Sequence, residues 1–327
     1  MKNILTELVK GKRLSFDEAK NSLITIGKGE VNTSLISSFL TVFMIRGIQG
    51  QELEGFRAAM LSLCNPVDFS DFETIDMCGT GGDGKNTFNI STTSSFVVAA
   101  SGVKVAKHGN YGVSSGVGSS NVIEHLGYEF KSDVVLLKNE IESTGITFLH
   151  APLFHPAMRF VGPVRKELGL KTFFNMIGPL VNPSKPTFQL TGVYALDILP
   201  LYDHVLKNSL KRYAIVHAVD VYDEVSLTCD FHLYSHNGIK KYSPADLGLS
   251  VLKPEEIGGG DTVEEAAQIL KNVLAGKGTK AQHEVVAANA GLAIHVAKDV
   301  SLREGVSEAL DIINEGKAIK VLEGLIY

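Results

Sequence analysis

The 327-residue sequence has no tryptophan, only three cysteines, no long block of like charge and no long apolar run. Each absence removes a class of protein. Cys64, Cys78 and Cys229 are odd in number and far apart, which argues against a disulfide framework or a zinc-ligand cluster and fits a reducing compartment. The 31 basic and 36 acidic residues leave a net charge of −5 with neither sign clustered, so nucleic acid and anionic membrane are not expected as partners. No apolar stretch approaches the roughly 18 residues that span a bilayer, and the N-terminal MKNILTELVKGKRLSFDEAK lacks the apolar core of a signal peptide. A cytoplasmic location is expected.

What is present is an enzyme-sized globular composition, 44% apolar and 20% charged, in a chain too long for one core. Residues 1–66 read as a helical domain. Ile36, Phe39, Leu40, Phe43 and Met44 recur at helical spacing, and Ser15 with Glu18 forms a capping-box pattern. After Asn65-Pro66, short apolar runs (Thr74–Met77, Val103–Ala106, Tyr213–His217) alternate with helix-length segments (Ser94–Ala100, Val263–Leu274). That alternation predicts a mostly parallel sheet covered by helices over residues 67–327. Six prolines between Pro152 and Pro186 bracket a short helical piece. They suggest that the chain leaves the sheet, completes the helical domain near residues 160–183 and returns, with a cleft between the two parts.

The first chemical signal is MCGTGGDGKNTFNIST, Met77 to Thr92. Gly79 to Gly84 fits a dinucleotide fingerprint, but the next strand ends in Lys107-His108, where an acidic residue is required to take the ribose hydroxyls. Gly79 to Asn86 nearly fits a nucleotide P-loop, but Asn86 has no hydroxyl for magnesium. What remains is a longer loop. Gly79, Gly81, Gly82 and Gly84 free the backbone, Thr87, Asn89, Ser91 and Thr92 bring donors, and a helix starting after Asn89 presents its positive end. Phosphate suits it, and Asp83 within it calls for a metal ion or sugar hydroxyls nearby. The structural alternative is a plain glycine turn. A second loop, KHGNYGVSSGVGSSN, follows the next strand with Lys107 and the hydroxyls of Ser114, Ser115 and Ser119, so two such loops share one sheet edge. Asp223-Glu224, after a third strand, is either a solvated turn or a pair of hard oxygen ligands for magnesium beside phosphate.

Together, CGTGGDGKNTFNIST, VAKHGN, SSGVGS, HPAMRFVGPVRKELG, FNMIGPLVNP and Asp223-Glu224 resemble the ordered motifs of the anthranilate phosphoribosyltransferase family. The resemblance spans the chain. The motifs from Gly79 to Asn110 are shared in part with pyrimidine nucleoside phosphorylases, whereas His155-Pro156-Ala157-Met158 and Arg165 point to the anthranilate enzymes. It implies a small all-helical domain, a larger α/β domain of the nucleoside phosphorylase/phosphoribosyltransferase type, and a homodimer through the helical domains. It also implies 5-phosphoribosyl 1-diphosphate, Mg2+ and anthranilate as ligands.

By the same resemblance, Gly79, Gly82, Asp83, Thr87, Asn89, Ile90, Ser91, Thr92, Lys107, Ser114, Ser115 and Ser119 would contact phosphoribosyl diphosphate. Ser91, Asp223 and Glu224 would hold magnesium. Gly79, His108, Asn110, His155 and Arg165 would line the anthranilate path, Arg165 facing the carboxylate, with His108 and His155 as positioning residues and no general base. Arg165 could instead pair with Glu167, and either histidine could be structural. The chain departs from the family at Tyr111, where Arg is usual, near Gly116, where a basic residue is usual, and at Ser120-Asn121, where Ala-Asp is common. The first two remove positive charge near the diphosphate, which implies weaker binding of phosphoribosyl diphosphate, compensation by another side chain such as Lys85, or a change of substrate. A nucleoside phosphorylase would lack a use for Asp223-Glu224 and Arg165. A non-catalytic nucleic-acid-binding relative would carry a basic stripe, and none is present.

Overall fold

Four helices open the chain, α1 (Lys2–Val9), α2 (Phe16–Gly27), α3 (Thr33–Arg46) and α4 (Gly50–Leu63), in a computed structural model that describes residues 1–112 and 117–326. The expected capping box starts α2: the Glu18 amide donates to Ser15 Oγ and the Ser15 amide to Glu18 Oε2. Phe39, Phe43 and Phe56 meet edge-to-face in the middle of these helices. The bundle does not close on itself. Phe173 stacks on Phe56 at 4.4 Å, and Val161, Val164, Phe174, Ile177 and Leu180 join the same core. So do Val193, Tyr213 and Ile215 from one face of the sheet.

The sheet has seven strands: β1 (Thr74–Met77), β2 (Lys104–Gly109), β3 (Ile146–His150), β4 (Phe188–Gly192), β5 (Arg212–Ala218), β6 (Phe231–Ser235) and β7 (Gly238–Tyr242). Their order is β3-β2-β1-β4-β5-β6-β7, with β1 to β5 parallel and β6 and β7 added antiparallel at one edge. Every residue of β1, β3 and β4 is buried, as expected of parallel strands covered on both faces. From β1 the chain moves outward to β2 and β3, then crosses to β4 on the other side. The switch point is therefore the crevice at the carboxyl ends of β1 and β4, where open α/β sheets bind ligands.

Helix α5 (Ile90–Ala100) follows β1 and starts directly after Asn89, with Thr92 to Ser95 buried along with Phe96 to Ala99. It packs on the long helix Lys280–Lys298, buried over most of its length. Among the described residues, no helix is long and apolar enough to cross a membrane.

Candidate active site

The acidic pair occupies the switch point. After β5 the chain turns sharply, the Val221 amide donating to the Ala218 carbonyl at 2.9 Å, and Asp223 is laid across the ends of β1 and β4. Two glycines make the room. A Cβ on Gly192 would stand 1.4 Å from the Asp223 carbonyl oxygen, and one on Gly79 would stand 2.4 Å from Asp223 Oδ2. Asp223 Oδ2 accepts from the Gly81 amide at 2.6 Å, and Glu224 Oε1 accepts from the Ser91 amide, in the first turn of α5, at 3.0 Å.

Both residues keep some surface, but their carboxyls lie deep among protein atoms. Burial raises the Asp223 carboxyl above its ordinary range, and the charge of Asp83 adds to this. Burial also raises Glu224, with Asp223 as the next cause. Among the described residues neither carboxylate forms an ion pair with Lys or Arg, nor do three or more His, Cys, Asp or Glu side chains group closely enough to hold a metal alone. Carboxylates crowded without a cation fit magnesium, which takes one or two carboxylates and completes its shell with water and substrate phosphates.

The glycine loop wraps the pair. Gly81, Gly82 and Gly84 have φ of +64°, +76° and +75°, so the loop turns where other residues are strained. Asp83 Oδ1 accepts from the Lys85 amide at 3.1 Å, and Lys85 Nζ lies 4.7 Å from the centroid of the Tyr222 ring. Thr87 bridges to Gly258, and the Phe88 amide donates to the Ile257 carbonyl, pinning the loop's far end. Asn89 is the N-cap of α5, as the sequence suggests, but its side chain makes no capping bond. Thr80 Oγ1 and Thr92 Oγ1 are buried without partners. These two hydroxyls and the positive end of α5 suit an anion, although the Ile90, Ser91 and Thr93 amides already donate to Phe88, Glu224 and Asn89.

Lys107, which the sequence offers as a point charge, lies under cover. It is 2% exposed, and its ammonium donates to the Met77 carbonyl beneath the loop. Its neighbour Asp76 accepts from the His108 amide at 3.1 Å and from Asn182 Nδ2 at 2.9 Å. Burial raises Asp76 to about 6, and the Lys107 charge opposes that rise. Lys107 thus braces β1 against β2, and its charge reaches the anion site from below.

Of the residues that the resemblance assigns to the acceptor, the two histidines meet each other. His108 and His155 are each 4% exposed, with rings edge-to-face at 5.2 Å. His108 Nδ1 lies 3.2 Å from the Gly178 carbonyl, while Nε2 has no partner. Neither nitrogen of His155 makes a hydrogen bond of normal geometry, and the nearby Val181 backbone favours the charged form against burial. Burial lowers His108 to about 3 and His155 to about 4, so both are neutral at pH 7. Arg165 is half-buried and forms no ion pair with Glu167. Its Nη2 reaches Asn175 Oδ1 at 3.4 Å, and the guanidinium sits 5.3 Å from the Phe174 ring, itself stacked on Phe173. A desolvated guanidinium without a carboxylate is a ready anion site.

The second loop is organised by the residues that depart from the family pattern. Asn121 Oδ1 accepts from both the Gly112 and Gly118 amides, and Ser120 Oγ lies 2.9 Å from His150 Nδ1. Tyr111 donates to Glu124 Oε1 at 3.2 Å and packs against His150. Asn110 is exposed, and its carbonyl accepts from Ser119 Oγ at 3.3 Å. Ser114, Ser115 and Gly116 lie outside the described residues.

The sequence reading missed Asp76, Lys171, Asn182 and Asn289. Lys171 donates to the Gly82 carbonyl and lies 4.8 Å from the Tyr194 ring centroid, tying the Arg165 segment to the glycine loop. Asp76 and Asn289 are single polar residues inside apolar runs, and Asn182 ends one just before Pro183.

Comparison with known proteins agrees with this geometry. Residues 2–64 match the helical bundle domain of a glycosyl transferase family and residues 71–319 its a/b domain. An anthranilate phosphoribosyltransferase of Christiangramia forsetii is 52% identical over 97% of this chain and 96% of its own. The crystal structure of the enzyme of that name from Thermus thermophilus superposes with a TM-score of 0.93 at 33% identity, covering 98% of both chains. The Saccharomyces cerevisiae enzyme in complex with PRPP and Mg gives 0.91 at 27% identity over 98% of this chain and 95% of that one. With this fold, this site and this likeness along its whole length, the chain belongs to the anthranilate phosphoribosyltransferase family.

Proposed function

We propose that this enzyme transfers the phosphoribosyl group of 5-phosphoribosyl 1-diphosphate to the amine of anthranilate, the step expected of its family in tryptophan biosynthesis. The observation that carries the reading is the acidic pair at the switch point, where the carboxyls of Asp223 and Glu224 lie deep without an ion-pair partner among the described residues and accept from the amides of Gly81 and Ser91; a desolvated Arg165 and the neutral pair His108 and His155 supply the acceptor residues. The first suits a metal-bound diphosphate and the second a small aromatic carboxylate.

In the reaction the amine nitrogen bonds to ribose C1, the C1–oxygen bond breaks, diphosphate leaves with the electron pair, and the amine proton passes to solvent. Such a reaction needs charge placed in advance more than a strong base. Magnesium, when bound by Asp223, Glu224 and Ser91, supplies positive charge to the leaving diphosphate. Gly79, Gly82, Asp83, Thr87, Asn89, Ile90, Ser91, Thr92, Ser119 and the hydroxyls of Ser114 and Ser115 are assigned to the donor, with Lys107 supporting them from beneath. Arg165 binds the acceptor carboxylate in a plane. His108, His155 and Asn110 line its path, and the uncharged imidazoles leave the amine unprotonated.

Two copies pairing through the helical domain would cover Val9 and Ile45, which are 75% and 82% exposed on α1 and α3. The three free thiols fit a reducing cytoplasm.

The test follows anthranilate fluorescence after mixing protein, phosphoribosyl diphosphate and magnesium. Loss of fluorescence should require all three. Arg165→Ala should raise the KM for anthranilate by roughly tenfold to a hundredfold, since a charged hydrogen-bonded pair is lost. No turnover by the unaltered protein at high concentration would refute the assignment.

A further inference from the structure

The loop carrying Asp223 and Glu224 holds a backbone that its sequence does not favour. Val221 has φ +80° and Leu227 φ +61°, so left-handed residues that are not glycine stand on both sides of the acidic pair. For a β-branched valine this region is a true outlier, and such a backbone persists only where its surroundings over-determine it. Strain of this kind gathers where a chain must present a group in one particular place.

The over-determination comes from Asn289, 5% exposed in the helix Lys280–Lys298. Its Oδ1 accepts from the Val225 amide at 3.1 Å, and its Nδ2 donates to the Val225 carbonyl at 2.9 Å. The same Nδ2 donates to the Val285 carbonyl at 2.8 Å, one turn back in its own helix. The amide thus gives Val225 both hydrogen bonds that a neighbouring strand would give, and is itself fixed to a buried helix. Val225 directly follows Glu224, so its peptide sets where the Glu224 carboxylate meets α5. At the other end Asp220 accepts from the Thr228 hydroxyl and the Cys229 thiol, closing the base of the loop.

We propose that Asn289 is a positioning residue for the metal-binding carboxylates: by clasping the Val225 peptide it holds Asp223 and Glu224 at the switch point against the strain at Val221. The inference rests on the donor site described above. Asn289 acts through the loop backbone and not on the reacting atoms, in the way that residues behind metal ligands commonly fix them.

The experiment compares wild type, Asn289→Ala and the double variant Val221→Gly/Asn289→Ala. Mn2+ binding is measured by calorimetry with and without inorganic diphosphate, and the two KM values and the Tm are measured alongside. Asn289→Ala is expected to weaken Mn2+ binding about tenfold to a hundredfold and raise the KM for phosphoribosyl diphosphate in step. The KM for anthranilate stays within about twofold. Adding Val221→Gly, which lets the turn form without strain, recovers part of the Mn2+ affinity. A lower Tm with unchanged Mn2+ affinity and unchanged KM would show a residue that only stabilises the fold, and would overturn the proposal. If Asn289→Ala is recovered unfolded, Asn289→Asp, which keeps the shape and the acceptor but loses the donor, carries the same test. Wild type that binds Mn2+ with diphosphate but leaves anthranilate unchanged refutes the reaction, and Asn289 is then judged on Mn2+ binding. Wild type that does neither overturns both.

Discussion

At the scale of single residues, burial extends the pH range over which the two histidines stay uncharged. His108 and His155 are neutral because burial opposes their ionisation. An unfolded histidine takes up a proton near pH 6.5, whereas these wait until about pH 3 and 4. Their contribution to stability is therefore complete above about pH 6.5 and is lost as pH falls toward those values. Replacing His155 by Asn should flatten the fall of unfolding free energy between about pH 6.5 and 4, by up to about 1.4 kcal/mol per pH unit. Denaturant unfolding at several pH values measures this, and an unchanged slope would mean that His155 is solvated in the folded enzyme. Asp223-Glu224 and Arg165 were legible as residue types, since carboxylates and guanidinium announce their chemistry. Asp76 and Asn289 were not, because a lone polar residue in an apolar run acquires meaning only from the backbone groups it meets in space.

At the scale of elements, the two strand ends at the switch point are built from what they lack. Gly192 leaves room for the Asp223 backbone and Gly79 for its side chain, so their replacement should have different results. Gly192→Ala meets a carbonyl that cannot rotate away and should prevent the loop from seating, with a loss of several degrees in Tm and of nearly all turnover. Gly79→Ala meets a carboxylate that can swing aside. It should leave Tm nearly unchanged while raising the magnesium needed for half-maximal rate. Thermal unfolding and magnesium titration separate the two, and equal effects from both would show that the close approach is not what places Asp223. The helices and parallel strands were readable from apolar period and length. The sharp turn after β5 was not, because nothing in the letters of Val221 signals a left-handed backbone. The hydrogen bond of Lys107 was hidden for a related reason: its type was plain, but the carbonyl that accepts from its ammonium belongs to another strand.

At the scale of the whole molecule, the helical bundle and the sheet share one apolar core. Phe173 stacks in the middle of α3 and α4, and Val193, Tyr213 and Ile215 extend that core onto the sheet. Residues 1–64 expressed alone should therefore lack a cooperative thermal transition, although each helix has good local signals. A sharp transition by circular dichroism would contradict this. The proline-rich segment made the return of the chain foreseeable, but the part played by the sheet face was hidden, since strands buried on both faces read the same whichever partner covers them.

The shared core also has a meaning in time. During synthesis the first four helices emerge long before Phe173 and the strands that cover them. At roughly 5–20 residues per second they spend on the order of ten seconds with Phe39, Phe43 and Phe56 unsheltered. The segment that carries Arg165 is thus also what ends that vulnerable interval, so damage to it should be seen in cells first as lost yield and only then as lost rate.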